Sequence, residues 1–312
     1  MNQMHKGRTL TKIFLLMVLS AILLSVRSSY AAEEPRQGHD ILLDTYNRVE
    51  AKLERTSFGF PLYLESSDQD GRVHVDVYGI FHHPFKNVLN VLKIPANWCD
   101  IVSLHPNVKA CTYRDMSGGW GLTFYFGRKV YESPADTYHF MFYCRNVEQQ
   151  PNYMDIVLNA DEGPLGTKNH KMRFEAIPLD GSTTFVRVSY AYNYGISLRL
   201  AEKIYFATIG LGKVGFTVSG TDSSGNPIYI GGPRGALERN AVRYYFAIQS
   251  FMDALRYGEE SRFSMRLSNW YDLTSRYRKQ LFDLEKNDYL RFKTEEHKNQ
   301  VTLQMLIGTG LH

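Results

Sequence analysis

The sequence lacks the common signatures of catalysis and cofactor binding. It has no G-x-S-x-G elbow, no H-E-x-x-H helix, no Walker loop and no C-x-x-C pair. None of its sixteen asparagines begins an N-x-Ser/Thr acceptor. An exported eukaryotic chain of this size often carries one or two, so their absence favours a bacterial envelope protein. No apolar run reaches the roughly 20 residues of a relaxed membrane span. No internal repeat or low-complexity linker interrupts the chain.

An excess of either charge is also missing once the first 31 residues are set aside. The whole chain has 36 Lys+Arg and 32 Asp+Glu. Residues 1–31 contain Lys6, Arg8, Lys12 and Arg27 and no acid, which leaves 36 − 4 = 32 basic residues against 32 acidic ones. No global positive field remains to draw nucleic acid or anionic lipid, so no nucleic-acid partner is expected. The same segment reads as a secretory leader. It has a basic start, an apolar stretch from Ile13 to Leu24, and small residues at Ser29 and Ala31 flanking Tyr30. Cleavage after Ala31 and a periplasmic location are expected. No cysteine lies near that cut, which excludes a lipoprotein anchor.

Three cysteines follow the leader. Cys99 and Cys111 are twelve apart, and a bridge between them closes a loop worth about 3 kcal/mol on the chain-entropy account. Export favours that bridge; two buried thiols are the alternative. Cys144 then stands as a small buried hydrophobe on a strand. Aromatics are plentiful, with 21 Tyr and 18 Phe, and suit cores, cavities and interfaces alike.

Hydrophobic spacing divides the rest. Ile41, Leu42, Tyr46, Val49 and Leu53 mark a helix over 40–55, with Asp40 as its expected N-cap. PLYLES and RVHVDVYGIF read as strands joined at Asp70-Gly71. Pro84 opens a helix with Phe85, Val88, Leu89 and Leu92 on its apolar stripe, and Pro95 ends it. ANWCDIVSL is a second short helical piece. From about 108, six strands with short turns predict one antiparallel meander, with LTFYFGRKVYES as its second strand. Residues 196–209 have a helical pattern, and TVSGTDSSGNPIYIGG reads as a hairpin arm. Residues 235–256 carry a long amphipathic stripe, with Arg239 and Arg243 on the opposite face. A charged helical tail runs from 260 to 300.

This order is α+β, an antiparallel sheet with segregated helices. It resembles the helix-grip fold of the START-like, or Bet v 1-like (SRPBCC), superfamily, in an exported bacterial form. The resemblance covers residues from about 40 to 218, and further to 256. Its most telling piece is VHVDVYGIFHHPFKNVLNVLKIPANWCDIV, where Pro84, Val88, Leu92 and Trp98 match a strand, a proline at a helix start, an apolar stripe and a tryptophan. The resemblance implies a curved sheet wrapped around a long helix, with a cavity between them. The departure is that about 94 residues follow position 218. Either 196–218 or 235–256 grips the sheet, and the cleaner stripe favours the latter. The expected organisation is a leader at 1–31, a helix-grip domain at 32–256 and a helical C-terminal extension at 257–312.

Candidate cavity residues are Tyr190, Tyr192 and Tyr194 on one strand face, Arg145, and Tyr244, Ile248 and Phe251 on the long helix. No metal and no cofactor is expected. The leading reading is binding or transfer of a lipid or other hydrophobic small molecule, with transient membrane contact. The 84–95 segment is the expected gate. The second is a cavity-based enzyme of cyclase or hydrolase type, with His74, Asp76 and Arg145 as first suspects. The third is an envelope interaction module with a filled core, docking a protein partner through the C-terminal helices.

Overall fold

The computed structural model describes residues 38–195 and 213–309, with 145–148 as backbone alone. The leader and the helix expected at 196–209 lie outside those residues. Helix α1 (Gly38–Glu54) begins before Asp40, which therefore sits in the first turn and not at the N-cap. An acid there still faces the positive end of the helix dipole.

Strands β1 (Leu62–Gln69) and β2 (Arg72–Phe81) form the expected hairpin. Asp70 and Gly71 have φ of 52° and 77°, the left-handed pair that matches strand twist in a two-residue turn. Helices α2 (Phe85–Leu92) and α3 (Pro95–Val102) follow. Pro84 is the N-cap of α2, just outside the helix. Pro95 does more than end α2: it is the first residue of α3, where its missing N–H costs nothing.

The meander is β3 (Val108–Met116), β4 (Gly119–Phe126), β5 (Tyr138–Gln150), β6 (Tyr153–Glu162), β7 (Lys168–Pro178) and β8 (Thr184–Asn193). With β1 and β2 it makes one eight-stranded antiparallel sheet, ordered β1-β2-β8-β7-β6-β5-β4-β3. Irregular registers at Val108/Ala110, Cys144/Asn146 and Lys168/Lys171 bend the strands. β4 stops at Phe126, short of the expected end. The Asn107 carbonyl accepts from Gly127 N–H, and the Asn107 amide donates to the Gly127 carbonyl at 2.7 Å. That pairing takes the chain off the ladder. A short ribbon of β9 (Val218–Thr221) and β10 (Pro227–Tyr229) stands apart from the main sheet.

Helix α4 (Gly232–Ala254) is the gripping helix, packed on β1, β2 and β8. Gly79 on β2 makes the approach possible, since a Cβ there would lie 2.0 Å from Tyr245 Oη. Helices α5 (Glu259–Ser275), α6 (Arg278–Leu281) and α7 (Lys286–Gly308) complete the chain. α5 packs on α4, and α7 packs on β3 and α5. Leu267, Trp270, Leu281 and Tyr289 join the same core as the sheet and α4.

This covering corrects the amphipathic reading of α4. Arg239 and Arg243 are buried, because α4 has sheet on one side and helices on the other. Arg243 pairs with Asp283 at 2.6 Å, and Lys129 and Lys213 meet the other Asp283 oxygen at 2.6 and 3.5 Å. These cations hold the Asp283 carboxyl far below the usual range, against the opposing pull of burial. The outer sheet face is covered too. Val49 and Leu53 of α1 pack with Tyr78, Tyr153, Ile177 and Phe185, so β2 buries Tyr78 as well as Val73, Val75 and Val77.

The edge strand β3 is closed by side chains of α7. Lys293 donates to the His105 and Val108 carbonyls, and Lys109 and Lys293 both pair with Glu296. Burial pulls both lysines down, Lys293 to about 8. An uncovered edge is a template for aggregation.

Candidate ligand site between sheet and helix

Strand alternation sends Ile156 and Leu158 of β6, Met172 and Phe174 of β7, and Val188 of β8 to the face that meets α4. They are in register: Ile156 sits opposite Phe174, and Phe174 opposite Val188. α3 adds Trp98, Ile101 and Val102, and α4 adds Tyr244 and Ile248, to make an apolar slot. Arg173 contributes to this wall, but its guanidinium is on the other side of the sheet, bound to both Asp155 oxygens at 2.8 Å. The open volume inside is about 10 Å³, room for one water at most.

α3 is fastened from outside. Cys99 and Cys111 form the expected disulfide, tying α3 to β3. Asp100 pairs with Arg266 at 2.9 Å and accepts from the Gln300 amide at 3.1 Å. α2 is tied mainly through α3: Trp98 Nε1–H donates to the Leu92 carbonyl and Asn97 to that of Val91, both at 2.7 Å. Cys144 is a buried thiol on β5.

Tyr190 and Tyr192 lie on the helix-facing side, both buried. The Tyr190 ring is edge-on to Tyr244 at 6.3 Å. Tyr190 Oη lies 3.0 Å from His170 Nδ1, and Tyr192 stacks on His170 at 5.2 Å. Tyr194 does not continue the ladder. It lies past the end of β8, and its hydroxyl reaches both Asp68 oxygens at 2.9 Å. Tyr244 and Ile248 line the slot. Phe251 lies farther along α4, outside the slot wall, beneath the Arg266 guanidinium at 3.8 Å. The side chain of Arg145 lies outside the described residues.

Two histidines border this region that sequence reasoning did not single out. His105 stacks on Tyr244 at 5.1 Å and meets Asn240 at 3.2 Å. Burial, with Arg243 and Lys129 nearby, pushes its imidazole well below the ordinary value. Burial takes His170 down to about 4. Both rings are neutral near pH 7. Their only sequence signal was position: His105 before a proline, and His170 at the start of a strand.

His74 and Asp76, the first enzyme suspects, are on the outer sheet face and not in the slot. They are 3.5 Å apart, and Ser189 donates to Asp76. Farther along that face Arg187 pairs with Glu175, whose other oxygen accepts from Tyr153 at 2.8 Å. Burial raises the Glu175 carboxyl against the pull of Arg187 and Arg173. This is an interlocked ion-pair surface that knits neighbouring strands together.

No protein-family model matches the sequence, and no curated protein matches it. Solved structures similar to it include human StAR-related lipid transfer protein 5, at 10% identity over 70% of this chain and 98% of that one, with a TM-score of 0.35. Norcoclaurine synthase from Thalictrum flavum pairs at 11% identity over 47% and 89%, with a TM-score of 0.33. A START superfamily protein from Mycobacterium smegmatis pairs at 14% over 44% and 89%, with a TM-score of 0.29. Strand order and the enclosed helix, taken from the chain itself, give it a START-like, helix-grip α+β fold.

Proposed function

We propose that this protein binds a hydrophobic small molecule or lipid in the slot between the sheet and α4, in the periplasm. One observation carries the reading. Side chains from five separate elements, β6, β7, β8, α3 and α4, converge on a single apolar wall, whose one charged residue, Arg173, has its guanidinium bound to Asp155. Such walls with few polar groups suit apolar ligands. The slot is closed at about 10 Å³, so entry requires the α2–α3 pair to move off the sheet. Burying a ligand methylene contributes about 0.8 kcal/mol, so a long chain offsets that opening. The Cys99–Cys111 bridge supports an oxidising compartment, where such bonds persist.

Native mass spectrometry of the full-chain product from cells, with organic extraction, tests this. A stoichiometric lipid and a mass lacking 1–31 support both parts. An empty protein that takes up no fluorescent lipid probe overturns the ligand reading.

The small slot volume itself favours a second reading, an envelope interaction module with a filled core. A groove of about 470 Å³ runs beside the disulfide, with Tyr113, Val301 and Met305 on its wall. Met305 is exposed together with Val301 and Leu306 on the same stretch of α7, which gives the groove an apolar rim. An empty protein that loses an envelope partner on Met305→Asp supports this second reading.

A further inference from the structure

The disulfide lies on the far side of the helix that walls the slot. α3 turns Trp98, Ile101 and Val102 to the slot, a set spaced i, i+3, i+4 on one helix face. Cys99 and Asp100 fall on the other side, and both line the groove of about 470 Å³ beside α7. There Cys99 is bonded to Cys111 of the edge strand β3. The polar ties beside that bond are few. Gln300 spans the same junction, accepting from Cys111 N–H at 2.9 Å and donating to Asp100 at 3.1 Å, and Arg266 meets Asp100 at 2.9 Å.

α2 goes where α3 goes, since Trp98 and Asn97 hold its last carbonyls. Its start is pinned elsewhere: His83, just ahead of Pro84, meets Asp253 near the end of α4 at 2.9 Å. The pair therefore has a fixed point at one end and a covalent clasp at the other. Cys99 and Cys111 are 3% and 1% exposed, so bulk water hardly reaches the clasp, but both residues line the groove.

Resting on the ligand reading above, we propose that Cys99–Cys111 is a redox latch on the slot. While the bond stands, α2 and α3 stay on the sheet. A dithiol entering the groove cuts it and frees them to swing away. One thiolate of the dithiol attacks a bridge sulfur, the S–S bond breaks, and the other cysteine leaves as a thiolate and takes a proton. The second thiol then displaces the mixed disulfide. Cys99 and Cys111 gain two electrons and two protons, and the dithiol becomes its own disulfide.

Hydrogen exchange of the full chain at pH 8, with and without dithiothreitol, tests the latch. Iodoacetamide labelling of Cys99 and Cys111 reports the cut. Exchange across residues 85–102 is expected to rise at least tenfold, while β6, β7 and β8 stay within twofold. Cys99→Ser with Cys111→Ser is expected to exchange like the reduced protein whether or not dithiothreitol is present. Uptake of diphenylhexatriene, an apolar dye that fluoresces out of water, is expected to quicken at least tenfold on reduction. A bond that resists dithiothreitol until the fold is lost, or exchange that is unchanged over 85–102 or rises equally across the sheet, overturns the latch. Dye uptake equally fast in both forms overturns it while the ligand reading stands. Faster exchange over 85–102 with no dye in either form overturns the ligand reading and leaves the clasp on α2 and α3 standing.

Discussion

Gln304 bonds both backbone groups of Tyr113. Its Oε1 accepts from the Tyr113 N–H at 2.8 Å, and its Nε2 donates to the Tyr113 carbonyl at 3.0 Å. One turn earlier, Gln300 Oε1 accepts from Cys111 N–H at 2.9 Å. Two side chains four apart on α7 thus stand in for a ninth strand along β3.

This predicts an edge-dependent phenotype. Gln300→Ala with Gln304→Ala leaves backbone groups of β3 unpaired, at about 1–3 kcal/mol for each one that stays buried. Urea unfolding should show the loss, and light scattering should show faster aggregation from the bared edge. Unchanged stability and scattering would mean that water replaces the glutamines without cost.

Gly79 and Tyr245 should be coupled. Gly79→Ala places a methyl 2.0 Å from Tyr245 Oη and should cost about 1–3 kcal/mol of stability through overpacking. Tyr245→Phe removes a buried hydroxyl that has no partner and should be neutral or stabilising. Thermal melts of the two single variants check this; a destabilised Tyr245→Phe would show that the hydroxyl has a partner.

Asp283 should be the most damaging single charge to remove. Asp283→Asn strands Arg243, which is 1% exposed, and should cost about 3–5 kcal/mol. The folded carboxyl is depressed, so its contribution is complete above the unfolded value near 3.9 and declines as pH falls below it. The difference in urea midpoint between the two proteins should stay constant from pH 7 to about pH 4 and narrow below it; a difference that stays constant down to about pH 2.5 would contradict the ion-pair account.

His170 sets a separate acid response. Its folded value is about 4, against about 6.5 when unfolded. The stability that comes from keeping it neutral is complete above 6.5 and is lost as pH falls toward 4, by up to about 3 kcal/mol. His170→Gln should flatten the stability profile between pH 6.5 and 4.5. A profile that stays as steep would assign the acid sensitivity to other groups.

Much of this fold was legible in the chain. β2 spans the whole RVHVDVYGIF run, the Asp70-Gly71 turn has its left-handed pair, and Cys99 bonds Cys111. What stayed hidden depended on distant partners. Arg243 reads as solvent-facing until Asp283, forty residues on, arrives beside it. Tyr289, Lys293, Glu296, Gln300 and Gln304 form a stripe at helical spacing, but its polar members look like a solvated face. Only an edge strand with unpaired backbone groups makes that stripe an inner surface. The candidate site was half legible. Of the predicted residues, Tyr244 and Ile248 line the slot; Tyr190 and Tyr192 lie beside it, Tyr190 against the Tyr244 ring, and Tyr194, past the end of β8, turns to Asp68. The wall residues of β6 and β7, Ile156, Leu158, Met172 and Phe174, were not among the candidates, since alternation cannot say which sheet face a helix will cover.

Photolabelling tests the slot most directly. A dodecanol carrying a diazirine in its chain is equilibrated with the full chain, illuminated, and mapped by peptide mass spectrometry. The account predicts labels within Trp98–Val102, Ile156–Leu158, Met172–Phe174 and Tyr244–Ile248, displaced by excess dodecanol. Labels confined to exposed positions such as Val301–Leu306, or not displaced, would contradict it.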